Sequence, residues 1–209
     1  MLAIADEVKS FQISCKLALD KDEFDLAARM PPETTKPQFR SMLQNLLADR
    51  FHLKLHVISK EFPSHALVIA KGGPKFQASW SRDPQPSQFS VDGFPEVATN
   101  RPDIEASFST SPGFELVRLR AHQEPISIFA SMLRVPDNQP VVDQTGLTES
   151  YDFRLAYSLE LRATTSDSPP PLPDLFSAIQ QQLGLQLVHK KIPFNVLAID
   201  QVDRFPTEN

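Results

Sequence analysis

The sequence predicts an α+β fold: repeated strand-helix-strand-strand units, with helices packed on antiparallel or mixed sheets, in two similar halves. Two observations carry this. Phe39, Met42, Leu43, Leu46 and Leu47 recur at helical spacing, and from Leu53 the period falls to two. The same change recurs near the C-terminus, where Leu175, Phe176, Ile179 and Leu183 precede Leu185-Gln186-Leu187-Val188. A helix and a sheet that each have one apolar face satisfy one another as layers.

The elements follow in order. Leu2, Ala5 and Val8 share the face of a short helix over 2–9, and Phe11, Ile13 and Cys15 alternate as a strand. Phe24–Ala28 reads as a second extended piece, ended by Pro31-Pro32. Thr35 is a helix N-cap with Gln38 three residues on, the spacing of a capping box, and Pro37 is tolerated in a first turn. Leu53, Leu55 and Val57 point to one side of the following strand, and His52, Lys54 and His56 to the other. Glu61-Phe62-Pro63 predicts a turn into a strand over 66–70, ended by Gly72-Gly73-Pro74.

Residues 74–113 hold Pro74, Pro84, Pro86, Pro95, Pro102 and Pro112 and little periodicity, as in a loop or linker with at most one strand. Phe114–Leu119 reads as a strand, Glu124-Pro125 as the opening of a helix stopped by Pro136, and Pro140–Asp143 as a short strand. Tyr151–Tyr157 alternates. The helix over Leu175–Leu183 stops at Gly184, and two strands then flank a turn at Pro193. The resulting division is 1–75 as an N-terminal half with a truncated first unit, 76–113 as linker, 114–203 as a C-terminal half and 204–209 as tail.

Two stretches of the chain match. Leu43–Leu47 resembles Ile179–Leu183, Leu53–Leu55 resembles Leu185–Leu187, and Phe62–Ile69 resembles Ile192–Ile199. This reads as an internal duplication; the competing reading is that any amphipathic helix followed by a hairpin looks alike.

Composition excludes several classes. The 209 residues carry a net charge of −5, against the basic face a nucleic-acid binder needs. No apolar run reaches the roughly 20 residues of a membrane span, and Asp6-Glu7 follows Met1–Ala5 too soon for a signal peptide. With Cys15 the one cysteine, no intrachain disulfide forms. Nineteen prolines against six glycines leave no glycine-rich phosphate loop.

Phe24–Ala28, Leu43–His56, Ala66–Lys75, Pro140–Thr148, Tyr151–Phe153, Leu183–Leu185 and Val196–Asp200 together resemble a large family of soil-bacterial proteins. It is a domain of unknown function expanded in acidobacteria and sometimes fused to BlaR-type membrane peptidases. A middle unit over 114–143, strand–helix–strand in shorter form, resembles the short N-terminal domain of secretins and TonB-dependent receptors, a periplasmic interaction module. The resemblance covers nearly the whole chain and implies an architecture and an extracytoplasmic compartment, with no catalytic residues to carry over. Family members usually carry a signal peptide and a first strand before the opening helix. By that comparison this chain starts inside the first unit and is cytoplasmic if made as given.

No nucleophile elbow, His-Glu-x-x-His or Ser-x-x-Lys motif occurs. On a strand His52 and His56 lie about 13 Å apart, too far for one ion, so a solvated face is expected. Only folding can gather His65, His122 and His189. Cys15 beside Lys16 has the charge to lower a thiol pKa, although a half-buried cysteine is the plainer reading. The most suggestive cluster is acidic: Asp137, Asp143, Glu149 and Asp152 are the hard oxygen donors that calcium takes. Apart from that ion no cofactor is expected. Asp143, His122 and Asp152 are the candidate catalytic residues. Turns at Asp137-Asn138 and Thr145-Gly146 account for the same residues structurally. Trp80, Phe76 and Phe89 are expected to form a satellite cluster or a contact patch.

The sequence therefore supports a binding or protein-interaction module without established catalysis, whose partner is a protein or a small molecule. A strand such as 53–57 or 66–70 is expected to accept a partner strand, and an open edge would favour a homodimer. The alternative is a small hydrolase of esters or lactones, with or without calcium.

Overall fold

The computed structural model describes residues 2–15, 29–79, 94–98, 101–160 and 170–207. Helix α1 (Leu2–Ala5) leads through a 3-10 turn at Ser10–Gln12 to β1 (Ile13–Ser14). Then come α2 (Lys36–Phe51), β2 (Lys54–Ile69), β3 (Asp103–Ser111), β4 (Phe114–Pro125) and α3 (Ile126–Met132). The chain continues with β5 (Val141–Asp143), β6 (Ser150–Glu160), α4 (Leu175–Ala178), a π turn at Ile179–Leu183 and β7 (Leu185–Gln201). This is an α+β protein with one mixed sheet, ordered β1-β7-β2-β5, and one antiparallel sheet, ordered β3-β4-β6. The piece expected at Phe24–Ala28 lies outside the described residues.

Two compact units divide the chain: Met1–Phe62 with Ile192–Asn209, and Pro63–Lys191. The first is centred on α2. Thr35 caps it through the expected capping box with Gln38. Leu43, Leu47 and Phe51 are buried with Ala5, and Leu2, Phe39, Leu46, Leu53 and Val202 pack around them. Met42, expected on that face, is exposed; it lies on the flank, about 100° around the helix from Leu43. The helix expected over 2–9 stops at Ala5, because the backbone turns left-handed at Glu7. Phe11 sits in the 3-10 turn rather than in a strand. Its ring meets Phe62 and Phe194 edge-on, at 5.2 Å each.

No turn forms at Glu61–Pro63 or at Pro193. β2 and β7 run through both prolines without a break. Proline's fixed φ suits extended backbone, and a strand accepts it wherever the missing N–H has no partner to lose. The expected alternation holds from His52 to His56, where Leu53 and Leu55 are half-buried and His52, Lys54 and His56 exposed, and it fails at Val57, which is exposed.

The second unit has the larger core. Ile126 and Phe129 of α3, Leu67 of β2, Val117 and Leu119 of β4, Leu155 of β6, and Ile179, Leu183 and Leu185 are buried together. Phe76 packs against this core, 5.1 Å from the Tyr151 ring, and not in a satellite cluster; Trp80 and Phe89 lie outside the described residues. The stretch 74–113, read as a loop or linker with at most one strand, supplies β3. Helix α3 ends at Met132, short of Pro136.

The segments 36–69 and 175–201 share one succession: a helix, a left-handed residue (His52 or Gly184), and one long strand with an internal proline. Gly184 has φ 66°, and a Cβ there would collide with the Gly73 carbonyl oxygen, so only glycine fits.

Candidate functional site

The antiparallel sheet has two margins, and the fold treats them differently. On β6, Ala156 donates its N–H to Gln182 Oε1 at 2.9 Å and accepts from Gln182 Nε2 at 2.7 Å. The Gln182 amide thus stands in for one peptide unit of a neighbouring strand. Two residues on, the Ser158 N–H donates to the Pro173 carbonyl at 2.9 Å. That margin is closed.

The same bonds fix the polarity of the whole sheet. A strand residue sends its N–H and C=O to one side, and the next residue sends them to the other. Ala156 and Ser158 face away from β4, so their partners Arg118 and Leu116 turn away from β6, toward β3. Ser107 and Ser109, opposite those two, are therefore bonded to β4. It follows that Ile104, Ala106, Phe108 and Thr110 turn their main-chain groups outward. Among the described residues β3 has no second strand neighbour. Phe108 is 65% exposed at this margin, although it opposes the buried Val117. The hairpin closes over Pro112-Gly113, with Gly113 at φ 82°, the left-handed position such a turn needs.

Titratable groups gather at the far end of this margin. The β4–β6 register slips between Ala121 and Glu124, a bulge that re-aims side chains. Gln123 there has φ 51°. Asp152 holds the bulge: Oδ1 accepts the Gln123 N–H at 2.8 Å and lies 2.8 Å from His122 Nδ1. His122 Nε2 is buried with no partner among the described residues. Asp103 opposes His122 across the β3–β4 ladder. Glu124 is 8% exposed; burial, and then the Asp103 charge, push its carboxyl up from the usual glutamate range.

A family model for a protein of unknown function, DUF3738, matches residues 1–202. The chain belongs to the DUF3738 family. No curated protein and no solved structure matches it.

The sequence-derived candidates of this DUF3738 protein are distributed as follows. His122 and Asp152 meet. Asp143 does not join them: its Oδ1 accepts from the N–H and Oγ1 of Thr145 at 2.9 and 2.7 Å, closing a local turn. Glu149 is exposed. Asp137 pairs with His65, Oδ2 to Nε2, at 2.9 Å. Burial works to raise the Asp137 carboxyl, but hydrogen bonds from His65 and the Gln139 N–H, with the His65 charge, hold it below the usual range. His65 is 5% exposed, its Nδ1 has no partner among the described residues, and its ring meets His189 and Phe176 edge-on. Among the described residues no three His, Cys, Asp or Glu form a metal-holding group, and no helix is long and apolar enough to cross a membrane. His52 and His56 face Asp203 and Asp200 at 2.7 and 2.8 Å on the exposed surface.

Sequence reasoning allowed one strand within 74–113 without locating β3, and it missed Glu124. The alternation of Ile104, Ala106 and Phe108 with Glu105 and Ser107 was the available signal for β3, a short one that gives way to the polar run Ser109-Thr110-Ser111. Of the edges expected from sequence, 66–70 is covered at its start, where β5 pairs with His65, Ala66 and Leu67 and β7 is the other neighbour of β2. The outer side of Lys54–Phe62 has no β5 residue beside it, but it carries Lys54, Lys60 and the neighbouring Pro63, residues that discourage strand addition.

Proposed function

We propose that this chain is a protein-interaction module that receives an extended segment of a protein partner along β3. One observation carries the reading. β6 uses the Gln182 amide and the Pro173 carbonyl to close its margin, whereas β3, with no outer strand among the described residues, turns four residues' main-chain groups outward and has no Lys or Pro within Asp103–Ser111. Strand addition to such an edge draws affinity from main-chain bonds and selectivity from alternate side chains. Phe108 is the apolar anchor beside the incoming strand. The extracytoplasmic compartment implied by the family resemblance belongs to the same reading, as does the origin of segments 36–69 and 175–201 from one duplicated unit.

Random peptides displayed on phage and selected on the full chain test it. Selected peptides are expected to slow exchange of the Ile104, Ala106, Phe108 and Thr110 amides. Phe108→Pro, which removes one outward N–H, is expected to weaken binding about tenfold or more. Peptides that bind with these amides unchanged would overturn the reading.

A second reading rests on the His122 imidazole, held by Asp152 on one nitrogen and without a partner among the described residues on the other, two residues from Glu124, whose carboxyl burial pushes above the usual glutamate range. That set suits hydrolysis of an ester or lactone: His122 takes a proton from attacking water, and Glu124 gives one to the leaving oxygen. Turnover of a p-nitrophenyl ester and lactone panel, lost in His122→Gln, would establish it. A chelator arm separates water activation by these residues from help by calcium.

A further inference from the structure

We infer that the strand β3 receives is β3 of a second copy of this chain; this rests on the reading of β3 as an open, strand-accepting edge. The register is the argument. Antiparallel pairing about a two-fold axis at Ser107 places Ile104 opposite Thr110 of the second copy and Ala106 opposite its Phe108. All four outward-facing residues on each side are then hydrogen-bonded at once. Moving the axis by one residue to Ala106 strands Thr110, and moving it to Phe108 strands Ile104. The chosen register also suits the side chains. Glu105 opposes Ser109 and Asp103 opposes Ser111, so no acid faces an acid, although the chain carries a net charge of −5. Like charges directly opposite would oppose pairing. Phe108, 65% exposed in the single chain, lies against Ala106 of the second copy, with the other Phe108 on the diagonal. Two three-stranded sheets become one of six strands, a closed and symmetric arrangement that leaves no further open β3.

The geometry makes a specific cross-link. Ser107 is bonded to β4, so across the axis it meets its own counterpart as a non-hydrogen-bonded pair, with Cα atoms about 4.5 Å apart, within disulfide reach. In a Cys15→Ser background, Ser107→Cys is expected to oxidise to a covalent dimer, while Ser109→Cys, facing Glu105, stays single. Adding Phe108→Pro to Ser107→Cys should slow the cross-link about tenfold. Sedimentation of the unaltered chain should show a dimer that dissociates on dilution. A monomer at every concentration with no Ser107 cross-link, or a cross-link that prefers Ser109, would overturn the second-copy inference. If selected peptides still protected the β3 amides in that monomer, the interaction-module reading would survive; if none did, both would fall.

Discussion

One oxygen of Asp152 holds the β4 bulge, accepting the Gln123 N–H and facing His122. Asp152→Ala should cost about 1 kcal/mol in urea unfolding, the low end for such bonds because the carboxylate is half exposed. Glu124 gives a pH test. Its folded-state pKa is raised by burial and by Asp103, so the folded chain holds that proton more tightly than the unfolded one. The contribution is fully present below the ordinary glutamate pKa and is lost as pH rises through the folded value. Glu124→Gln should therefore raise Tm at pH 7 to 8 while changing it little near pH 4, as thermal melts across that range would show. At this scale the sequence was only partly legible. Asp152 belonged visibly to the polar side of a strand, but its partner is set by a register slip that no local pattern announces. Glu124 looked like a helix opener, because Pro125 follows it and the helix does begin at Ile126.

Where the signal is local, elements read well. The Thr35–Gln38 box and the 3.6-residue period placed α2, and the glycine after Leu183 marked the end of its helix. Prolines misled in both directions. Pro63 and Pro193 suggested turns inside β2 and β7, because a sequence does not show whether a missing N–H had a partner to lose. The prolines around Asp103–Ser111 suggested a linker, yet Pro102 and Pro112 only flank the strand. Gln182 illustrates an element contact without any local signature: its amide bonds to Ala156, 26 residues away. Gln182→Ala removes two hydrogen bonds and should cost about 2 kcal/mol. It also opens the β6 margin, so self-association should rise relative to the parent chain in light scattering at matched concentration.

For the whole molecule, the fold class followed from helix and strand periods that do not depend on where each element pairs. Pairing itself lies beyond such reasoning. The first unit is assembled from both ends of the chain, and β5 reaches β2 in parallel at Val141–Asp143. The functional reading depends on one consequence of pairing, that β3 has a strand on one side and, among the described residues, none on the other. Residue-resolved hydrogen exchange on the dilute 209-residue chain tests this most directly. The account predicts alternation along β3, with Ile104, Ala106, Phe108 and Thr110 exchanging fast and Glu105, Ser107 and Ser109 slow. Uniform protection of all seven amides in the monomer would contradict it.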